Sequence, residues 1–341
     1  VKSHWKGPQE DGITYSMLSR FFLCRERFRV MAVEGLYPKD TFSHRIEFGN
    51  MWHLLEEGGK LHKYTSKLFE KYPLEQEQIM HWANVCRVSH GVYLDWKKNN
   101  TALVQGHPLF REKTFSTKHP LPSGRHVLLR GKLDGVDTLD ENRRLYLVEN
   151  KTKSDIDENK MQTQLRFDMQ TMMYLVAMKH YGYKPKGVIY NVIRRPLSGG
   201  KGTIRKHKPT KSNPQGETDE EFYTRLENDY LRKEPDHYFM QWVVEIGEHD
   251  IKNFCQQFLD PVLESLCDWW DEMKLRDARG AGPFDSQPDS VCEHYRTPYG
   301  LYNVLAEGGH TELDEYLDTG SQLGLEVRGK LFEVSDAPVS N

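Results

Sequence analysis

The sequence predicts an α/β core with helical additions, on three observations. After residue 100 the hydrophobic period shortens from helical to alternating. The segments that follow run strand, strand, strand, helix, strand, the order of a sheet with helices packed on it. The chain has 341 residues, 37% of them hydrophobic, with 17 Tyr and 15 Phe, which is enough apolar and aromatic mass to bury a sizeable core.

From the N-terminus, the stretch Ile13 to Arg29 reads as one helix capped by Ser16, with Leu18, Phe21, Phe22 and Phe28 near helical spacing. A second helix is expected over Phe48 to Lys60 and a third over Leu74 to Asn99. Strands are expected over Phe110 to Phe115, His126 to Thr138 and Leu145 to Lys153. The polar turn Asp140–Arg143 joins the last two as a β-hairpin. Lys160 to Tyr181 reads as an apolar helix ending at Gly182, and Gly187 to Arg194 as a short buried strand. The Gly-, Pro-, Lys- and Ser-rich stretch 196–216 reads as a mobile basic loop. A polar helix (Asp219 to Lys233), a strand (Tyr238 to Ile246) and an amphipathic helix (Asp250 to Lys274) follow. The expected organisation is an N-terminal helical part (1–100), a core (101–275) and a loop-rich C-terminal extension (276–341).

Bulk properties exclude some classes. No apolar run reaches the roughly 18 residues of a membrane helix. The opening Val1–Trp5 has neither Met nor the apolar stretch of a signal peptide, so a processed or trimmed start and a protein that is not secreted are expected. Five scattered cysteines (Cys24, Cys86, Cys255, Cys267, Cys292) do not form a disulfide framework, which points to a reducing compartment. At a net charge of −3, any surface for nucleic acid must be local.

The hairpin carries the candidate chemistry. A turn centred on Glu141 and Asn142 sets Asp134 opposite Glu149, where side chains stand about 5 Å apart. Two like charges so close need a compensating group, and a divalent cation is suited to carboxylate oxygens. Lys151, two residues on, points to the same strand face and can stabilise charge building on a phosphate. The same three residues could equally be a solvated hairpin face with its own neutralising lysine. Local pattern leaves both readings open, and a register slip of one would separate the pair.

The wider pattern resembles the PD-(D/E)XK nuclease superfamily in its RecB-like branch, with AddB-type and CRISPR-associated exonucleases among its members. Tyr15–Cys24 with Arg27-Phe28 resembles the family's opening helix, and Phe48-Gly49-Asn50-Met51-Trp52-His53 its Gly…His motif. Gly131-Lys132-Leu133-Asp134 resembles the Gly-x-x-Asp strand, and Glu149-Asn150-Lys151-Thr152 the (Asp/Glu)-x-Lys-Thr strand. Gln170 with Tyr174 resembles the Gln-x-x-x-Tyr helix. The resemblance spans about residues 15–195, with five motifs in order, and continues more faintly to Cys292. It implies a restriction-endonuclease-like core, a mixed central sheet flanked by helices.

That resemblance implies His53, Asp134, Glu149 and the backbone carbonyl of Asn150 as ligands of Mg²⁺ or Mn²⁺, and Lys151 as the residue that orients or activates water. Gln170 and Tyr174 would border the site, and Glu112 falls where relatives often carry a further acid. Read without the family, His53 is as readily a packed core residue, Gln170 and Tyr174 the polar edge of a core helix, and Glu112 a surface charge. Some relatives hold an iron–sulfur cluster with one early and three late cysteines. Cys24 and Cys292 fit two of those places, but the compact late triplet is absent, so no cluster is expected. Arg194, Arg195, Lys201, Arg205, Lys206, Lys208 and Lys211 form a basic stretch that would either contact DNA phosphates or stay solvated.

The expected activity is a metal-dependent DNA nuclease, an exonuclease of recombination, repair or phage replication. A structure-specific or single-strand endonuclease and a catalytically inactive DNA-binding or assembly protein on the same fold are the alternatives. DNA, single-stranded or as duplex ends, is the expected partner, with a helicase or recombination protein beside it and no membrane. The expected location is the cytoplasm of a bacterial or phage-infected cell.

Overall fold

The computed structural model describes residues 5–23, 25–33, 35–38, 41–139, 144–196, 204–211, 213–275 and 325–327. Cys24, Lys201, Cys292 and the turn Asp140–Arg143 lie outside the described residues, as does the C-terminal extension apart from 325–327.

The first elements are β1 (Ile13–Thr14), α1 (Tyr15–Leu23), α2 (Arg25–Phe28), β2 (Leu36–Pro38), α3 (His44–Glu56), α4 (Leu61–Lys71) and α5 (Gln76–Asn99). Next come β3 (His107–Pro120), β4 (His126–Leu139), β5 (Arg144–Lys153), α6 (Glu158–Arg166), α7 (Met169–His180) and β6 (Pro185–Arg194). The last are α8 (Asp219–Arg225), α9 (Pro235–Tyr238), β7 (Phe239–Glu245), α10 (Glu248–Phe254), α11 (Asp260–Leu275) and β8 (Leu325–Val327). Among the described residues three π-helical turns, Arg29–Val33, Leu226–Leu231 and Cys255–Leu259, extend or join helices.

Several expected boundaries move. Ile13 and Thr14 are not helical; they pair in parallel with Leu129 and Arg130 of β4. The α1 cap is therefore Thr14 rather than Ser16, its hydroxyl accepting the Met17 N–H at 3.3 Å. The single helix expected from Lys160 to Tyr181 is two. Asp168 takes an extended backbone, and its carboxylate accepts the Thr171 N–H at 2.9 Å, which starts a new helix at Met169. The unexpected α4 fills the gap between the second and third expected helices. The expected helix from Asp250 to Lys274 is interrupted by the π turn at Cys255–Leu259.

A six-stranded mixed sheet runs in the order β1–β4–β5–β6–β7, with β3 paired to β4 off that path. Strand β4 lies against β3 for almost its whole length. Its opposite edge is shared: β1 takes Leu129 and Arg130, and β5 takes Gly135 to Leu139. The β4–β5 ladder has the register of a turn centred on 141 and 142, with Gly135 opposite Val148. It stops there. One step further Asp134 and Glu149 flank a split in the sheet, and the Asp134 side chain bridges it by accepting the Asn150 N–H at 2.8 Å.

Alternation along β6 shows the layers. Val188, Tyr190 and Val192 join one core cluster, shared with the Met-rich α7 and with α11. Ile193, on the opposite face, joins Phe239 and the aromatic residues of α3 and α5 in a second cluster. Both faces of the sheet are thus covered, as a strand buried on both sides requires. This is the mixed sheet flanked by helices that the sequence predicts.

Candidate active site

The split between β4 and β5 gathers ionisable side chains from five elements. Glu149 and Lys151 stand in register with Tyr190 and Val192, on the α7 face of β5. Glu149 is 2% exposed, with its Oε1 2.8 Å from Lys151 Nζ. Lys151 also donates to Gln170 Oε1 at 2.9 Å and lies 3.7 Å from Asp168 Oδ2. Gln170 Nε2 in turn donates to the Tyr174 hydroxyl at 3.0 Å. Glu149, Asp168 and Gln170 thus hold the lysine, and Tyr174 steadies Gln170. Gly131 makes room for the arrangement, since a Cβ there would meet the Tyr174 ring at 2.9 Å and the Phe115 ring at 2.7 Å.

The other wall comes from α3 and β3. Gly49 lets α3 approach β5, because a Cβ at this position would sit 3.3 Å from Thr152 Oγ1. One turn on, His53 Nδ1 is 3.4 Å from Glu112 Oε1 and 3.6 Å from Asp134 Oδ2. Glu112 has φ of +48°, a conformation that costs a non-glycine residue free energy and so marks a constrained position. The flanking β3–β4 pairs, Arg111–Gly135 and Lys113–Leu133, leave Glu112 across from Asp134. Asn150 is buried; its side-chain oxygen accepts from Asn191 Nδ2 at 3.0 Å, and Asn191 Oδ1 accepts from Gln241 Nε2 at 3.3 Å.

A family model of the PD-(D/E)XK nuclease superfamily matches residues 13–294, most of the chain. The protein belongs to the PD-(D/E)XK nuclease superfamily. No curated protein matches the sequence. Proteins of this superfamily are generally nucleases that hydrolyse phosphodiester bonds, typically with divalent metals such as Mg²⁺, and the fold implies a nucleic-acid substrate.

The donor set of this PD-(D/E)XK site fits such an ion. His53, Glu112 and Asp134 each present one ligand atom within 4.8 Å of the others. Glu149 Oε2 is buried without a hydrogen-bond partner, and the buried Glu112 Oε1 has only the 3.4 Å approach of His53 Nδ1. Leaving a buried carboxylate oxygen unpaired is costly, and a divalent cation with a taste for oxygen removes the cost. Electrostatics agree. Burial pushes the Glu149 carboxyl up to about 7, with Asp134 adding to the rise and Lys151 opposing it. Burial likewise raises Asp134. Burial works against charge on Lys151 and His53, but the surrounding carboxylates outweigh it and raise both. Burial also acts to raise Glu112, and there His53 and Lys132 prevail and lower it.

Of the residues expected from sequence, His53, Glu112, Asp134, Glu149, Asn150, Lys151, Gln170 and Tyr174 come together here. Lys132 and Asp168 received no role from sequence. Lys132 Nζ is 2.7 Å from Glu112 Oε2 and 2.9 Å from Glu57 Oε1. Its place two residues before Asp134, on the same strand face, was the available signal. For Asp168 the signal was a capping residue ahead of an apolar helix.

The basic residues disperse. Arg194, expected on phosphates, donates instead to the His237 carbonyl at 3.0 Å, Asp155 Oδ1 at 3.1 Å and the Ile156 carbonyl at 3.3 Å. Arg195 is buried, with its guanidinium on the Arg45 carbonyl at 3.1 Å. These contacts fix the C-terminal end of the buried strand β6, so neither arginine is turned outward. Lys206 pairs with Asp219, while Arg205, Lys208 and Lys211 are exposed. The described part of the 196–216 stretch is tied down rather than free: Glu217 accepts the His207 N–H at 2.8 Å, and Arg225 donates to the Arg205 carbonyl at 2.8 Å.

Proposed function

We propose that the protein is a Mg²⁺- or Mn²⁺-dependent deoxyribonuclease of RecB-like type, acting as an exonuclease in DNA recombination, repair or phage replication. One observation carries the reading: Glu149 Oε2 is buried with no hydrogen-bond partner, and Glu112 Oε1, met only by the His53 ring at 3.4 Å, is gathered with Asp134 and Lys151 at the same site. The RecB-like order of the sequence motifs supports the exonuclease form.

In this reading His53, Glu112, Asp134, Glu149 and the Asn150 carbonyl hold the metal. When bound, the ion supplies Lewis acidity and a water acidified toward neutral pH. The protein's own residues do the rest. Asp134, pinned by the Asn150 N–H, and Glu149, pinned by Lys151, keep their free oxygens aimed into the cleft. Lys151 is held cationic by Glu149 and Asp168, so its ammonium orients the attacking water and faces the negative charge that grows on the phosphate. Gln170 and Tyr174 fix its direction, and a preset donor needs no reorganisation when the phosphate arrives. Exposed Arg205, Lys208 and Lys211 bind the DNA backbone without reading sequence.

The test is cleavage of end-labelled single- and double-stranded DNA with Mg²⁺, Mn²⁺ or EDTA, beside Lys151→Ala and Asp134→Asn. Metal-dependent mononucleotide release, blocked by capped ends and lost in both variants, is expected. Internal cuts in circular DNA would replace the exonuclease with an endonuclease. No metal-dependent cleavage by the wild-type protein would overturn the proposal.

A further inference from the structure

Titratable side chains also gather at the far end of β3. His119 sits there, 4% exposed. Its Nε2 is 2.7 Å from Asp260 Oδ1 at the start of α11, and its Nδ1 is 2.9 Å from Nε2 of His180 at the end of α7. One ring nitrogen of His119, the Cys255 Sγ and an Asp260 carboxylate oxygen all lie within 4.8 Å of one another. The π turn Cys255–Leu259 is what brings the last two together. In a continuous α-helix, residues five apart project in directions well over a right angle apart; the wider π turn swings them toward one face. Such turns are rare and recur at functional sites.

We propose that His119 Nε2, Cys255 Sγ and the Asp260 carboxylate form a second metal site, one for zinc, with His180 holding His119 in place. The donor set selects the metal. A thiolate beside an imidazole suits zinc and is a poor ligand for Mg²⁺ or Ca²⁺, which take oxygen. Tetrahedral zinc needs nitrogen–oxygen and nitrogen–sulfur separations of about 3.3 and 3.6 Å, given its bond lengths. His119 and Asp260 therefore part by about half an ångström, and Cys255 closes in, giving up its thiol proton to solvent. The second ring nitrogen of a zinc-bound histidine ordinarily donates to a neighbour that fixes its orientation, and His180 Nε2 already occupies that place. The fourth position is left to water. Seven residues of extended β3 separate Glu112 from His119, about 23 Å, so the two sites do not share an ion. The bound metal would clamp the end of β3 to the helices that cover it.

The experiment uses the full chain carrying Asp134→Asn, which weakens the cleft site. That protein is stripped with EDTA and titrated with Co²⁺ alone. Among the described residues the cleft presents no thiol, so a thiolate-to-cobalt charge-transfer band that depends on Cys255 reports the second site. We expect the band to saturate at about one ion per chain and to vanish when Zn²⁺ displaces Co²⁺. Adding Cys255→Ala abolishes it, and adding Asp260→Asn instead weakens Co²⁺ binding by about tenfold or more. Zn²⁺ raises Tm in the Asp134→Asn protein and much less with Asp260→Asn added. A missing band in the Asp134→Asn protein, or an undiminished one with Cys255→Ala, overturns the proposal. Should Cys255→Ala fail to fold, unchanged Co²⁺ affinity with Asp260→Asn does the same.

Discussion

Two glutamates in this protein are treated in opposite ways. Glu217, beside α8, has both oxygens matched: Arg225 donates to Oε1 at 2.6 Å and to Oε2 at 2.7 Å, and the His207 N–H adds a third bond. The Arg225 guanidinium pulls its carboxyl down to about 2. Glu149, in the cleft, has one oxygen on Lys151 and the other on nothing, and burial pushes it up to about 7. A carboxylate that serves the fold is surrounded by donors. One that serves a ligand is kept dry, with an oxygen in reserve. The difference is a better guide to function than burial alone, because both side chains are nearly inaccessible to solvent.

The largest test of this contrast is catalytic. Lys151→Ala and Asp134→Asn should each lower metal-dependent DNA cleavage by about a thousandfold or more, since each removes a preset group from the reacting centre. Glu217→Gln should leave kcat within about threefold in the same assay, as expected of an anchor remote from the chemistry.

Stability against pH should then show opposite slopes. In EDTA, Glu149 has a folded pKa above its unfolded value of about 4.3, so the unfolded chain gives up the proton first. Stability is therefore lost as pH rises from about 4 to 7, and the loss is on the order of 3–4 kcal/mol. Glu149→Gln should raise Tm at pH 8 in EDTA while abolishing cleavage, and added Mg²⁺ should stabilise the wild type but not the variant. Glu217 has a depressed folded pKa. Its contribution is full above about 4.3 and disappears as pH falls toward 2. Glu217→Gln should cost about 1–2 kcal/mol at pH 7 and less at pH 3, read by urea unfolding at both values. Equal slopes for the two variants would show the contrast to be false.

The smallest effect belongs to the exposed cations. Arg205→Ala with Lys208→Ala should weaken DNA binding a fewfold, equally for all sequences. It should also lower the slope of log affinity against log salt by about one to two. An unchanged salt slope would remove these residues from the DNA path.

What was legible in the sequence depended on symmetry and order. The hairpin register could be read because a polar turn lies between two apolar runs, and the ladder Gly135–Val148 has that register. The split beyond it could not, since nothing in the residue types says that a ladder stops. Helical period hid the break at Asp168, because apolar residues continue on both sides of it. The left-handed backbone at Glu112 has no sequence signature at all. His53 entered only through the ordered motifs. Charge alone misled at Arg194 and Arg195: a sequence reports that a guanidinium is present, not whether carbonyls already surround it.

The shared edge of β4 also bears on how the protein is made. Strand β1 closes against Leu129 across on the order of a hundred intervening residues, and β5 is backed by β6, whose Asn191 is held by Gln241 of β7. Contacts so distant along the chain form late and slowly. A nascent chain that has emerged only through Lys151 carries Glu112, Asp134 and Glu149 but not Asp168, nor the strands β6 and β7 that back β5. The cleft should therefore be assembled only once β7 has left the ribosome.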